Sequence, residues 1–220
     1  MYLRRFYFII LVYANLKMEY DTKDKTFWKR KGKDMKVLLG AVNAKYIHSN
    51  LAVYCLKAYA EKYGDTSDEI SIGEYTINQQ LDEILRDIYK RKPDMLCLSC
   101  YIWNLTYVEE ICREIKKVMP QIIIWIGGPE VSYDVVKVLE RLPEVDGVMK
   151  GEGEQTFCDL LHFYQDKTAD GLQNMKGIVY REQTGQIVEN EWRKTMELSK
   201  VPFVYENMEL FEHKIIYYET

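Results

Sequence analysis

The sequence has no G-x-G-x-x-G after its first apolar run and no phosphate-binding G-x-x-x-x-G-K-[ST] loop. Those patterns bring bare backbone amides onto phosphates, so a dinucleotide or nucleoside triphosphate ligand is disfavoured. It also has no internal repeat and no low-complexity tract. Cys97-x-x-Cys100 lacks a second cysteine pair, and strand alternation points its two side chains to opposite faces, so a zinc or cluster site is not expected. The five cysteines form no even framework and several lie inside apolar runs, which fits a reducing cytoplasm better than a disulfide scaffold. With net charge −4 and no basic stripe after residue 35, nucleic acid is a poor partner. No nucleophile–base pair and no carboxylate cluster with a partner is visible, so the chain by itself carries no catalytic machinery and no metal ligands are assigned.

What is present is the composition of a soluble globular protein, 47% hydrophobic and 29% charged over 220 residues. Residues 1–34 read as an extension. Phe6 to Val12 is apolar behind Arg4 and Arg5, yet it is short for a membrane span and no small-residue cleavage site follows. Lys-Arg-Lys-Gly-Lys-Asp before Met35 is also what a purine-rich ribosome-binding site spells when translated, which makes Met35 the expected native start. The alternative is an amphipathic membrane anchor.

From Met35 short apolar runs alternate with helical stripes. Strands are expected at Lys36–Val42, Glu69–Tyr75, Asp94–Tyr101, Gln121–Ile126 and Val145–Met149. Between them the spacing predicts helices beginning near Leu51, with Ser49 and Asn50 as caps, then over Ile77–Ile88, Leu105–Val118, Val131–Leu142 and Thr156–Tyr164. Near-continuous apolar strands separated by helices imply a Rossmann-like α/β fold: a doubly wound parallel five-stranded sheet over residues 35–170 with helices on both faces. Gly177–Tyr180 and Gln186–Glu189 flank Thr184-Gly185 as a C-terminal hairpin, 171–191. Residues 192–220 read as a linker ending in a strand, Lys214–Tyr218, whose lack of a partner suggests truncation.

Ligands of such sheets bind beyond the carboxyl ends of the strands. The segments there are Asn43 to Asn50, Ser99 to Asn104, Gly127-Gly128-Pro129-Glu130 and Lys150-Gly151-Glu152-Gly153-Glu154. Paired glycines admit a flat ligand or its tail against bare backbone, although a glycine pair before proline is also an ordinary turn. His48 reads either as a solvated loop histidine or as a hydrogen-bond donor to a ligand and, more remotely, a metal ligand; His162 and His213 read as structural.

Gly127-Gly128-Pro129-Glu130, followed by Val145-Asp146-Gly147-Val148 and Gly151-Glu152-Gly153-Glu154-Gln155-Thr156-Phe157, resembles the cobalamin (vitamin B12)-binding domains fused to radical S-adenosylmethionine enzymes. The resemblance covers about Met35 to Tyr164. It implies that cobalamin is the cofactor, that Ser99 and Tyr101 line a groove for its nucleotide tail, and that Gly127, Gly128 and Glu130 meet the tail and corrin edge. It implies that residues 43 to 50, with Asn43, Tyr46, His48 and Asn50, together with Ile102 and Trp103, face the corrin; Pro129, Gly151, Glu152 and Gly153 complete the expected site. The D-x-H-x-x-G motif that supplies a lower axial histidine in cobalamin-dependent mutases is missing. Ile215 to Thr220 is similar to the strand that precedes the cluster motif C-x-x-x-C-x-x-C in these enzymes, so S-adenosylmethionine and the [4Fe-4S] cluster are expected only in a C-terminal domain beyond this chain. The expected partner is that radical S-adenosylmethionine barrel, the expected role an auxiliary cofactor domain that is not catalytic alone, and the family chemistry often methyl transfer. Two rivals stand beside this: a cofactor-free module docking on the barrel, and a receiver- or flavodoxin-like signalling domain.

Overall fold

Strands with apolar residues at successive positions can be buried on both faces only between two helical layers, and this one is. The computed structural model describes residues 34–165 and 171–217. Its strands are β1 (Lys36–Asn43), β2 (Glu69–Thr76), β3 (Met95–Ser99), β4 (Ile123–Gly127), β5 (Gly147–Met149), β6 (Ile178–Arg181) and β7 (Ile187–Glu189). They form one sheet in the order β2-β1-β3-β4-β5-β6-β7. The first five are parallel, and β6 and β7 are antiparallel to their neighbours. The hairpin read at 171–191 therefore does not stand apart but extends the sheet beyond β5.

The helices are α1 (Leu51–Tyr63), α2 (Leu81–Arg91), α3 (Leu105–Val118), α4 (Val135–Arg141) and α5 (Glu154–Tyr164). Alternate residues of the strands feed two cores. Leu38, Leu96, Ile124 and Val148 pack against α2, α3 and α4. Val37, Leu39, Trp125 and Ile178 pack against α1 and α5. Cys97 lies in the second core and Cys100 in the first, the opposite-face placement that alternation predicts; all five cysteines are buried and none is in a disulfide. Strand order reverses at β1: α1, which follows β1, packs on one face of the sheet, and α3, which follows the neighbouring β3, packs on the other. This switch point puts a crevice at the carboxyl ends of β1 and β3.

Four boundaries differ from the sequence reading: the helix expected from Ile77 begins at Leu81, after a turn closed by Gln79 N–H on Thr76 O (3.0 Å). The helix expected from Val131 begins only at Val135, because Val131 N–H (3.2 Å) and Ser132 Oγ (2.8 Å) both bond back to Gly128 O, and Asp134 sits in the left-handed region at φ 51°. The segment 192–212, read as a linker, packs onto the domain: Phe211 is buried between the rings of Tyr54 and Tyr205, each with centroids 4.9 Å away. The strand expected at Lys214–Tyr218 is, among the described residues, one parallel bridge from Ile215 to His48. Beyond it Tyr217 exchanges hydrogen bonds with the Tyr205 hydroxyl, which takes its backbone out of any ladder. His162 holds Gly64 O, whereas His213 is exposed at φ 64° and anchors nothing in the core. No helix among the described residues is long and apolar enough to cross a membrane. The expectation for the N-terminal extension falls on residues 1–33, outside the described residues.

Candidate functional site

The loop after β1 is folded around a carboxylate that the sequence reading missed. Glu74, on β2 opposite Ala41, accepts from Asn43 Nδ2 (3.1 Å), the Asn50 backbone N–H (3.0 Å) and Tyr54 O–H (2.8 Å), and pairs with Lys214 Nζ. Its side chain is only 12% exposed. Burial, and then the adjacent Glu74 charge, pushes the Tyr54 phenol well above its ordinary range, so it remains a donor. One largely covered carboxylate thus joins the β1 loop, the start of α1 and the C-terminal segment. His48 lies on the outer side of this loop, its Nδ1 bonded to the Tyr217 hydroxyl and its ring stacked on Tyr217 with centroids 5.9 Å apart.

The loop after β3 is held by Asn104, fully buried, whose Nδ2 donates to Val42 O and Ser99 O (both 3.0 Å) and whose Oδ1 accepts from Tyr101 N–H (2.8 Å). That arrangement projects Tyr101 and Trp103 outward as a stacked pair, centroids 4.5 Å apart. The turns after β4 and β5 are joined by Ser132, which donates to Gly128 O and accepts from Gly151 N–H (3.2 Å). Gly128 has φ 113°, and a Cβ there would lie 2.5 Å from Cys100 O. Only glycine fits this approach of two backbones.

These loops enclose two adjoining cavities. The first is a slot of about 90 Å³ whose walls include Ser99, Gly127, Gly128, Gly151, Gly153 and Leu56. The second, about 450 Å³, is bounded by Asn43, His48, Asn50, Trp103 and Tyr217. Tyr101 lines both. A third cavity of about 330 Å³ lies under the C-terminal segment and includes Glu152 and Glu154 in its wall.

Of the residues expected from sequence, Asn43, His48, Asn50, Ser99, Tyr101, Trp103, Gly127, Gly128, Gly151 and Gly153 come together around the two adjoining cavities. Tyr46 and Ile102 are 77% and 80% exposed on the outer rim. Pro129 and Glu130 are exposed and line none of the three; the Glu130 N–H closes the turn onto Cys100 O (3.4 Å). Glu152 faces the third cavity and accepts from Met196 N–H (2.5 Å). Ser49 and Asn50, expected as helix caps, cap nothing: Ser49 Oγ bonds Ile215 O (2.9 Å), and Asn50 Nδ2 bonds Ser99 Oγ (3.1 Å). Among the described residues no three His, Cys, Asp or Glu side chains gather as a metal site.

Residues 37–161, more than half of the chain, match the family model described as the B12 binding domain. The chain belongs to the B12-binding domain family. It is 37% identical over 70 residues to the cobalamin-dependent radical SAM methyltransferase TokK of Streptomyces tokunonensis, covering 32% of this chain and 10% of that protein. It is 26% identical over 108 residues to the anaerobic magnesium-protoporphyrin IX monomethyl ester cyclase of Cereibacter sphaeroides, covering 49% of this chain and 17% of that protein. The chain thus spans a small fraction of the length of these relatives. Among solved structures, the cobalamin-dependent S-adenosylmethionine radical enzyme OxsB, with aqua-cobalamin and S-adenosylmethionine bound, superposes with a TM-score of 0.63 at 20% identity. That match covers 77% of this chain and 24% of OxsB. The radical S-adenosylmethionine methyltransferase TsrM of Kitasatospora setae superposes with a TM-score of 0.54 at 17% identity, over 72% of this chain and 30% of TsrM. At these identities the superpositions establish the fold.

Proposed function

We propose that this B12-binding domain holds cobalamin at the carboxyl edge of β1, β3 and β4 and presents it to a radical S-adenosylmethionine barrel, itself performing no turnover. The observation that carries the reading is the pair of adjoining cavities at the switch point. One is a broad space with aromatic and neutral polar walls; the other is a slot floored by glycine backbone. Their donor set suits a large neutral organic ligand with a tail. The walls offer amide, hydroxyl, imidazole and aromatic groups, with Glu154 a carboxylate in the wall of the slot and the nearby Glu74 carboxylate committed to protein donors. The fit is also testable position by position. A Cβ at Gly153 would meet only the flexible tip of Leu56, at 3.0 Å, so the glycine keeps the slot clear rather than serving the backbone. At about 90 Å³ the slot is well below the roughly 300–1,000 Å³ of ordinary ligand pockets. Leu56 and Met149, its flexible walls, must rotate to seat the tail.

On this reading Gly127, Gly128, Gly151 and Gly153 receive the tail; Ser99 and Tyr101 stand at its entrance; Asn43, His48, Asn50 and Trp103 border the corrin. Cobalamin would supply the methyl-transfer or redox chemistry, while the chain orients and shields it. Five buried cysteines outside any disulfide fit a reducing cytoplasm. The narrowness of the slot favours one rival, a cofactor-free module that only docks on the barrel, and a single titration separates them. Hydroxocobalamin added to the folded chain is expected to give a saturable visible difference spectrum, which Gly153→Phe abolishes while leaving the circular dichroism unchanged. A flat spectrum with the folded wild-type chain overturns the proposal.

A further inference from the structure

Asparagine at a helix N-terminus ordinarily turns its side chain onto the second or third backbone N–H, and losing that bond costs stability. Asn50 occupies the N-cap position of α1 and forgoes it. Its Nδ2 reaches across to Ser99 Oγ instead, and its Oδ1 is left buried with no donor among the described residues, on a residue only 5% exposed. A buried unsatisfied acceptor is a standing cost, and it calls for an explanation. The location supplies one. Asn50 borders the broad cavity and Ser99 borders the glycine slot, so the hydrogen bond between them lies on the partition that separates the two spaces. A ligand filling both must cross there.

We propose that Asn50 is a ligand-selecting residue whose free Oδ1 accepts a hydrogen bond from a neutral donor on the bound corrinoid, where its tail passes from the broad cavity into the slot. This rests on the cobalamin reading above. The donor is an amide N–H or a hydroxyl rather than an anionic group. Oδ1 offers no proton, and the neighbouring Glu74 carboxylate, bonded to the Asn50 backbone, repels negative charge. Two parts of a corrinoid carry such donors: the carboxamides of the corrin rim and the ribose of the nucleotide tail. Cobinamide keeps the first and lacks the second.

The experiment compares the wild-type chain with Asn50→Leu and Asn50→Ala, each titrated with hydroxocobalamin and with cobinamide by visible spectroscopy, with thermal unfolding of the ligand-free proteins alongside. Removing a buried orphan acceptor is expected to leave the ligand-free melting temperature unchanged or raised, and to weaken cobalamin binding at least about tenfold, the factor that corresponds to about 1.4 kcal/mol. Weakening of cobalamin alone places the donor on the nucleotide tail; equal weakening of cobinamide places it on the rim; either supports the proposal. A lowered melting temperature in both variants with unchanged affinities assigns Asn50 a structural role and overturns it. Wild-type binding that both variants retain in full overturns it as well. A wild-type chain that binds neither corrinoid removes the cobalamin reading and this inference together.

Discussion

At the scale of single residues the site depends on positions where substitution meets backbone. Gly128→Ala forces a Cβ to 2.5 Å from Cys100 O at φ 113°, where alanine is also strained. It is expected to cost about 2–4 kcal/mol in urea unfolding, more than an exposed substitution would. The thiols are a second check. Burial pushes the Cys112 thiol, and likewise the Cys158 thiol, from 9.0 up to about 12. Alkylation of Cys112 and Cys158 by iodoacetamide at pH 8 should therefore be negligible in the folded chain and follow unfolding, as read by mass spectrometry. The native thiols keep their protons while unfolded ones lose them, so stability falls as pH rises above 9. Glycines such as these were legible in the sequence because Gly127-Gly128-Pro129 has a local signature. Glu74, Asn104 and Ser132 were not: each looks like ordinary strand, loop or turn polarity until folding brings its partners in from tens of residues away.

Elements were read best where periodicity alone decides them. All five parallel strands and the stripe of α3 fall where apolar spacing puts them, within the usual slack at their ends, whereas α2 begins at Leu81, four residues after the Ile77 that opens its apolar stripe. What failed was α4, because a side chain–backbone bond from Ser132 and the left-handed Asp134 compete with helix over its first turn, and hydrophobic spacing does not register either. That competing bond has a use. Ser132 Oγ links the turn after β4 to the turn after β5. Ser132→Ala should cost about 1–2 kcal/mol in chemical denaturation, since it strips a bond from each turn. Hydrogen exchange at Gly151 N–H should rise with it, locating the loosening at the slot.

For the whole molecule, the family match ends at residue 161 while the folding unit does not. Ile178 and Val179 of β6 are fully buried, and β6 covers the exposed side of the three-residue β5. A chain cut after residue 165 would bare that edge and both cores. It is expected to aggregate or lose its near-ultraviolet circular dichroism, whereas a cut after residue 191 keeps the seven-stranded sheet. Lys150 argues the same way: its ammonium, on a side chain 1% exposed, pairs with the Glu189 carboxylate (2.9 Å) and donates to Asn190 O (2.8 Å), both supplied by the hairpin.

The Lys150 ammonium also lies 4.8 Å from the ring centre of Trp192, whose edge would come within 3.5 Å of a Cβ at Gly151, a residue of the slot. On the other side of the site Trp103 stands at the mouth of the broad cavity. Two indole emitters therefore flank the place where a strongly coloured macrocycle would sit, with Trp125 deep in the core as a third. Energy transfer to a corrinoid makes the chain its own optical gauge. Loading should dim its ultraviolet-excited emission in proportion to occupancy, and Trp192→Phe should diminish the drop without preventing the loading.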